Sequence, residues 1–198
     1  MLGGVSFTAV VLASGTGTLA QALIDAQIDG RLEARVVAVG ADRIAPVLDI
    51  ARAAGLATFT VLPKDFEDRS TWNRAMTSAV AAFEPDLVVS AGFMRILGPE
   101  FLERFGDRTI NTHPSLLPMF PGAHAVVDAM AAGAKVTGCT VHKIDAGVDT
   151  GPVLAQRMVP VEKADTVETL HERIKIQERS MLVEVVNRLA SGRLVLPQ

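Results

Sequence analysis

Short runs of β-branched and small apolar residues alternate along this chain with longer stretches whose apolar residues recur at helical spacing, and nothing else in the sequence constrains the fold as much. Phe7 to Ala13, Ala34 to Gly40, Ala57 to Leu62, Asp86 to Ala91 and Arg108 to Thr112 read as strands; Thr18 to Gln27, Ala45 to Ala54, Asp68 to Phe83 and His124 to Ala132 read as helices. Strands that alternate with helices are joined by crossovers, so the sheet they build is largely parallel and carries helices on both faces. An α/β fold follows.

Beyond Lys135 the pattern changes. Val136 to Ile144 and Val153 to Val161 are two strand-like runs joined by a loop, which predicts an antiparallel C-terminal extension of a mostly parallel, Rossmann-like sheet. A long helix from about Thr166 to Leu189 then stops at Ser191-Gly192. With 198 residues, 49% of them apolar, and no repeat, linker or low-complexity tract, the chain (residues 1–198) fits one domain with a substantial core. A net charge of −3 without a basic stripe argues against a nucleic-acid partner. Met1 to Phe7 carry no basic leader or cleavage site, and the apolar run that follows breaks at Ser14-Gly15, too early to span a bilayer. With the lone Cys139, read as a small buried apolar residue, this predicts a protein of the cytoplasm without a membrane partner. Oligomeric state is left open, a homodimer included.

The first strand runs into Ser14-Gly15-Thr16-Gly17-Thr18-Leu19-Ala20, a glycine-rich turn that opens a helix. Glycines let the backbone approach an anion, and the free amides and positive end of the following helix hold it, which is the physics of a phosphate site. The same residues match the G-x-G-x-x-A dinucleotide fingerprint, so an NAD(P)-binding module is the alternative from a different class. Its expected ribose-binding acid is poorly placed: Asp42 stands late and is followed by Arg43.

Chemistry enters with Asn111-Thr112-His113-Pro114-Ser115-Leu116-Leu117-Pro118 and, further on, Val148-Asp149-Thr150-Gly151-Pro152. An amide that donates to a developing oxyanion, an imidazole beside it and a carboxylate that tunes and relays suffice to move an acyl group between nitrogens without a covalent intermediate. Asn111 and His113 share a face if the strand persists. Read singly, Asn-x-His at a strand end is a structural pair and Asp149 a turn residue ahead of Gly151-Pro152. The four histidines stand in no H-E-x-x-H pattern, cysteines are not paired, and no Gly-x-Ser-x-Gly elbow occurs, so neither a metal site nor a serine hydrolase is expected.

Taken together and in this order, the glycine-rich turn, Ala91-Gly92-Phe93-Met94-Arg95-Ile96-Leu97, the Asn111 segment and the Asp149 segment resemble the folate-dependent formyltransferases, over about Phe7 to Gly192. The resemblance implies transfer of the formyl group of 10-formyltetrahydrofolate, a co-substrate, to the amine of glycinamide ribonucleotide in purine synthesis, with no metal. It implies catalytic roles for Asn111, His113 and Asp149: Asn111 and protonated His113 donating to the formyl oxygen, Asp149 favouring the charged imidazole and relaying a proton. Folate contacts fall to Arg69, Met94, Arg95, Ile96, Leu97, Asn111, Ile144, Asp145, Val148 and Asp149. Substrate contacts fall to Gly17, Thr18, Leu19, Met94, Pro114, Lys175 and Glu178, with His124 also on the substrate side. An N-terminal phosphate-binding half (about 6–105) and a C-terminal folate and catalytic half (about 106–192) are implied as well. This chain departs from the family pattern at Leu19, where asparagine is frequent, so a side-chain contact to the phosphate is expected to be missing. Relatives acting on methionyl-tRNA, or deformylating formyltetrahydrofolate, carry further domains for which this chain lacks the residues; deformylation, or another amino-nucleotide acceptor, remains the nearest alternative.

The last helix adds an argument of its own. Glu178 falls on the apolar stripe Val167, Leu170, Ile174, Leu182, Val185 and Leu189, and a carboxylate placed there needs a partner. The resemblance makes that partner the ribose and turns Lys175 toward the phosphate; a Lys175–Glu178 ion pair is the bland alternative.

Overall fold

The computed structural model describes residues 7–197; the opening segment read above for a leader lies outside them. Among the described residues the strands are β1 Thr8–Ala13, β2 Arg35–Ala41, β3 Ala57–Thr60, β4 Leu87–Ser90, β5 Thr109–His113, β6 Val136–Lys143 and β7 Val153–Pro160. The helices are α1 Thr18–Ile28, α2 Pro46–Ala53, α3 Arg69–Ala81, α4 Pro99–Phe105, α5 Ala125–Ala131 and α6 Val167–Ala190. They build one sheet of order β3-β2-β1-β4-β5-β6-β7. β1 to β5 pair in parallel, while β6 runs antiparallel to β5 and β7 antiparallel to β6. The expected α/β architecture with an antiparallel extension is therefore the observed one.

The period-two alternation of the strands divides the core. Ala9, Val11 and Ala13 of β1 and Leu87 and Val89 of β4 face one side, where they bury against Leu19, Leu23, Val47, Leu48, Ile174, Leu182 and Val185 of α1, α2 and α6. Val10 and Leu12 of β1 and Val88 of β4 face the other side, packing on Trp72, Met76 and Val80 of α3 and Phe101 and Phe105 of α4. Cys139 is fully buried in the first cluster, and that burial pushes its thiol up to about 12, so it packs as an apolar residue. α4 was not expected from the sequence: it is seven residues long, too short to display a period, although Pro99 at its first turn is a start signal. Side chains cap the ends of longer helices, Asp68 accepting from the Thr71 amide at 2.7 Å on α3 and Thr166 from the Thr169 amide at 3.2 Å on α6.

Strand order reverses between β1 and β4. The chain leaves β1 toward β2 and returns from β3 to β4 on the other side, so connections diverge there and open a crevice at the carboxyl ends of β1, β4 and β5. Ala13, Ser90 and His113 end these strands, and the loops that follow them form the site.

Candidate active site

A cavity of about 530 Å3 fills this crevice. Its floor is the carboxyl end of β5, its walls the turn after β1, the segment after β4 and the β6–β7 loop, and its rim one face of α6. Every residue nominated from the sequence lines it except Arg69 and His124. Arg69 lies in an adjoining hollow of about 470 Å3 that shares Met94, Arg95 and Ile96 with the main cavity. Its guanidinium donates to the Ile96 carbonyl at 3.1 Å, so it supports the segment both hollows share. His124 is exposed at the start of α5 and lines neither hollow, in contrast to the expectation; the chain turns its neighbour Ala123 to the cavity instead.

The turn after β1 is built by backbone. Gly17 is the N-cap of α1 with φ of +78°, and a Cβ there would come within 2.3 Å of the Val47 side chain, so both conformation and packing demand glycine. Having no side chain, it leaves the first amides of α1 free to meet an anion. Leu19 lines the cavity yet is itself buried in the core beneath α1. The absent asparagine contact is thus replaced by packing, which fixes the helix end that carries the amides.

The side chains at the floor form a linked cluster. β5 extends one residue beyond the sequence reading, to His113, so Asn111 and His113 do share a face. Pairing of β5 with β6 sets Asn111 opposite His142. The His142 Nδ1 lies 3.0 Å from the Lys143 carbonyl, which only accepts, so Nδ1 carries the proton of the neutral ring. Its Nε2, 3.1 Å from Asn111 Nδ2, then accepts from the amide, which orients the Asn111 nitrogen and leaves its second N–H unspent. The His113 Nε2 likewise stands 2.8 Å from the Phe120 carbonyl and must donate to it. A further proton can sit only on His113 Nδ1, 3.3 Å from Asp149 Oδ2. Both ring nitrogens therefore face protein acceptors, and the expectation that His113 points at the same ligand oxygen as Asn111 gives way to an imidazole held between a carbonyl and a carboxylate.

Asp149 sits in the left-handed region, φ 56°, in the loop between β6 and β7, a conformation that aspartate tolerates better than most residues. One oxygen accepts from the Gly122 amide at 2.8 Å; the other lies 3.6 Å from His142 Nε2. Burial would raise its pKa, but the His142 ring when it carries a second proton on Nε2, the Gly122 amide and the charge of protonated His113 outweigh this and hold the carboxyl below the usual range. It is an anion at neutral pH.

On the rim, Glu178 is buried at 3% exposure. Burial pushes its carboxyl up to about 7, against the pull of a Thr112 hydrogen bond and the nearby Lys175 and Arg179. Thr112, between Asn111 and His113 in sequence, is thus the neighbouring protein hydroxyl that favours the charged carboxylate. Lys175 pairs with Glu172 at 2.7 Å rather than with Glu178. His171, one turn earlier, also lines the cavity, its pKa lowered by burial and by Lys175. Sequence reasoning passed over His142 and His171. His142 is visible only once strand register is known, whereas the four-residue spacing of His171 and Lys175 was a legible signal.

Asp42, considered above as a ribose-binding acid, is 1% exposed and is contacted by Arg43 and Arg95. Held in this way, it cannot serve as the acid that recognises a dinucleotide. Among the described residues no group of His, Cys, Asp and Glu side chains is arranged to hold a metal ion, and no helix is long and apolar enough to cross a membrane.

A crevice at the switch point of a parallel sheet, floored by amide, imidazole and carboxylate, is the site of a group-transfer enzyme. The chain belongs to the formyl transferase family, whose model matches residues 8–186. It is 60% identical over 182 residues to a phosphoribosylglycinamide formyltransferase of Mycobacterium tuberculosis, covering 92% of this chain and 84% of that protein. It is 39% identical to the Escherichia coli protein of the same name, covering 93% and 88%. The solved glycinamide ribonucleotide transformylase 1 of Symbiobacterium toebii superposes with a TM-score of 0.94 at 41% identity, over 97% of this chain and 91% of that one.

Proposed function

We propose that this enzyme transfers the formyl group of 10-formyltetrahydrofolate to the amine of glycinamide ribonucleotide, a step of purine synthesis, and that it does so in the cytoplasm as one formyltransferase unit. The observation that carries the reading is the meeting of Asn111, His113 and Asp149 in one cavity with the uncapped amides of α1. The 60% identity to a protein named for this reaction supports it.

The amine nitrogen attacks the formyl carbon, an N–C bond forms, and the carbonyl oxygen becomes an oxyanion beside a cationic nitrogen. The unspent Asn111 N–H donates to that oxyanion; such a donor is worth about 3 kcal/mol, or roughly a hundred- to thousandfold in rate. Asp149 takes the proton from the cationic nitrogen and delivers it, directly or through water, to folate N10 as the C–N10 bond breaks, giving the formamide and tetrahydrofolate. His113, bridging Phe120 and Asp149, holds the carboxylate in place and shares its charge. His142 joins the set as the group that orients Asn111. The α1 amides and Lys175 hold the phosphate, Glu178 the ribose hydroxyls, and Met94 to Leu97 with Ile144 to Val148 enclose the pterin. Arg69, in the adjoining hollow, stands where the rest of the folate would extend.

Following the folate chromophore with glycinamide ribonucleotide present and then omitted tests this directly. Acceptor-dependent turnover is expected; equal consumption without acceptor would make the enzyme a deformylase, and binding of NAD(P) without folate would overturn the reading altogether.

A further inference from the structure

Asp42 immediately follows β2 and lines neither hollow, and yet it is a buried carboxylate in contact with Arg95, which lines both. Arg43 reaches it with two nitrogens, at 3.0 and 3.2 Å, and Arg95 with Nε at 3.0 Å. The Ser14 hydroxyl is a further neighbour that favours its charged form. An anion flanked by two guanidiniums carries no proton, so the hydroxyl proton is the part of Ser14 drawn toward it. The Ser14 oxygen is then free to accept, and the Met94 amide donates to it at 2.8 Å. The Ser14 amide in turn donates to the Gly92 carbonyl at 3.2 Å.

Ser14 immediately precedes the glycine-rich turn, while Gly92 to Leu97 form the opposite wall. The walls are thus joined at two successive residues: Ser14 accepts from the Met94 backbone, and the Asp42 charge beside it holds Arg95. The terminal nitrogens of Arg95 are left over, on a side chain 46% exposed where the two hollows meet. The geometry points to Asp42 as a positioning residue that holds the Gly92–Leu97 wall, and with it the folate, in register with the turn that receives the phosphorylated acceptor. This rests on the formyl-transfer reading and adds to it a residue that touches neither ligand. Reacting groups brought together by two walls lose rate steeply when one wall shifts by an ångström. Asp42 also keeps the charge on which this tie depends, for although burial would raise its pKa, Arg43, Ser14 and Arg95 together lower it.

Asp42→Asn, in the full chain, keeps shape and removes the charge. The expected result is a rise of about tenfold in the KM for formyl folate, with a matching weakening of tetrahydrofolate binding followed through the fluorescence of Trp72, the single tryptophan, which lines the adjoining hollow. The KM for the ribonucleotide should move by less than about twofold. Ser14→Ala, which deletes the hydroxyl without adding bulk, should shift the same folate constants, and the double variant should be far from additive; if Asp42→Asn does not fold, Ser14→Ala carries the test alone. A lower Tm with unchanged folate constants, or equal rises in both KM values, would overturn the assignment. A parent enzyme that neither transfers formyl nor responds to tetrahydrofolate would instead refute the reading beneath it.

Discussion

The two sides of the crevice are made in different ways. The turn after β1 is backbone: Gly17 takes a conformation and a packing distance that a side chain would spoil, and Leu19 contributes by burial. The floor across from it is built on side chains, Asn111 held by the His142 ring, and His113 by the Asp149 carboxylate and the Phe120 carbonyl. Donors that belong to the main chain are expected to tolerate a change of side chain at Leu19. A site made of an amide, two imidazoles and a carboxylate is not, because each group orients the next.

This contrast can be broken or sharpened by substitution. Asn111→Ala should cost the most, at least a hundredfold in turnover at unchanged Tm, since the oxyanion donor is lost while the strand is not; turnover near that of the parent would remove Asn111 from the chemistry. Asp149→Asn comes next, with turnover down by about a hundredfold. Because the folded carboxyl lies below the usual range, parent activity should fade only as pH falls through that depressed value, and the variant should lose this acid limb; an unchanged pH-rate profile would leave Asp149 a loop residue.

Glu178→Gln should raise the ribonucleotide KM about tenfold and spare the folate KM. It should also alter stability with a definite sign. A carboxyl raised from 4.5 to about 7 binds its proton more tightly folded than unfolded, so its contribution is favourable below pH 4.5 and is lost as pH rises through 7. The glutamine variant should therefore be relatively more stable at pH 8 than at pH 5, by up to about 3 kcal/mol, as denaturant titrations at the two pH values would reveal. Leu19→Asn should matter least to catalysis. Burying an amide where the core holds a leucine costs about 2 kcal/mol of stability, but the ribonucleotide KM should stay within about threefold. A large gain or loss of affinity would mean that the turn works through this side chain after all.

Much of this was legible in the chain. The expected strand and helix runs appear within two residues of where periodicity puts them, β3 and α3 each stopping two residues early, whereas α4 was not expected at all. The nominated residues converge on one cavity because motifs that end β1, β4 and β5 must meet wherever those strands are neighbours in a parallel sheet. The exceptions are instructive. His124 sits just before α5, and one residue of helical rotation decides whether a side chain faces a cavity or solvent. His142 was passed over because its partnership with Asn111 is a matter of antiparallel register, which no local pattern encodes.

Alternation and spacing by themselves determined the class of fold and the glycine-built turn, since these follow from local periodicity, while the nomination of Asn111, His113 and Asp149 came from a resemblance carried by whole motifs. Only the tertiary structure decided how those groups are used. It bound both His113 nitrogens to protein acceptors, set Glu178 beside Thr112 and tied Asp42 to two arginines. Such choices depend on hydrogen bonds and charges between residues distant in the chain, whose strength is set by burial and by angles that exist only after the sheet has closed around them.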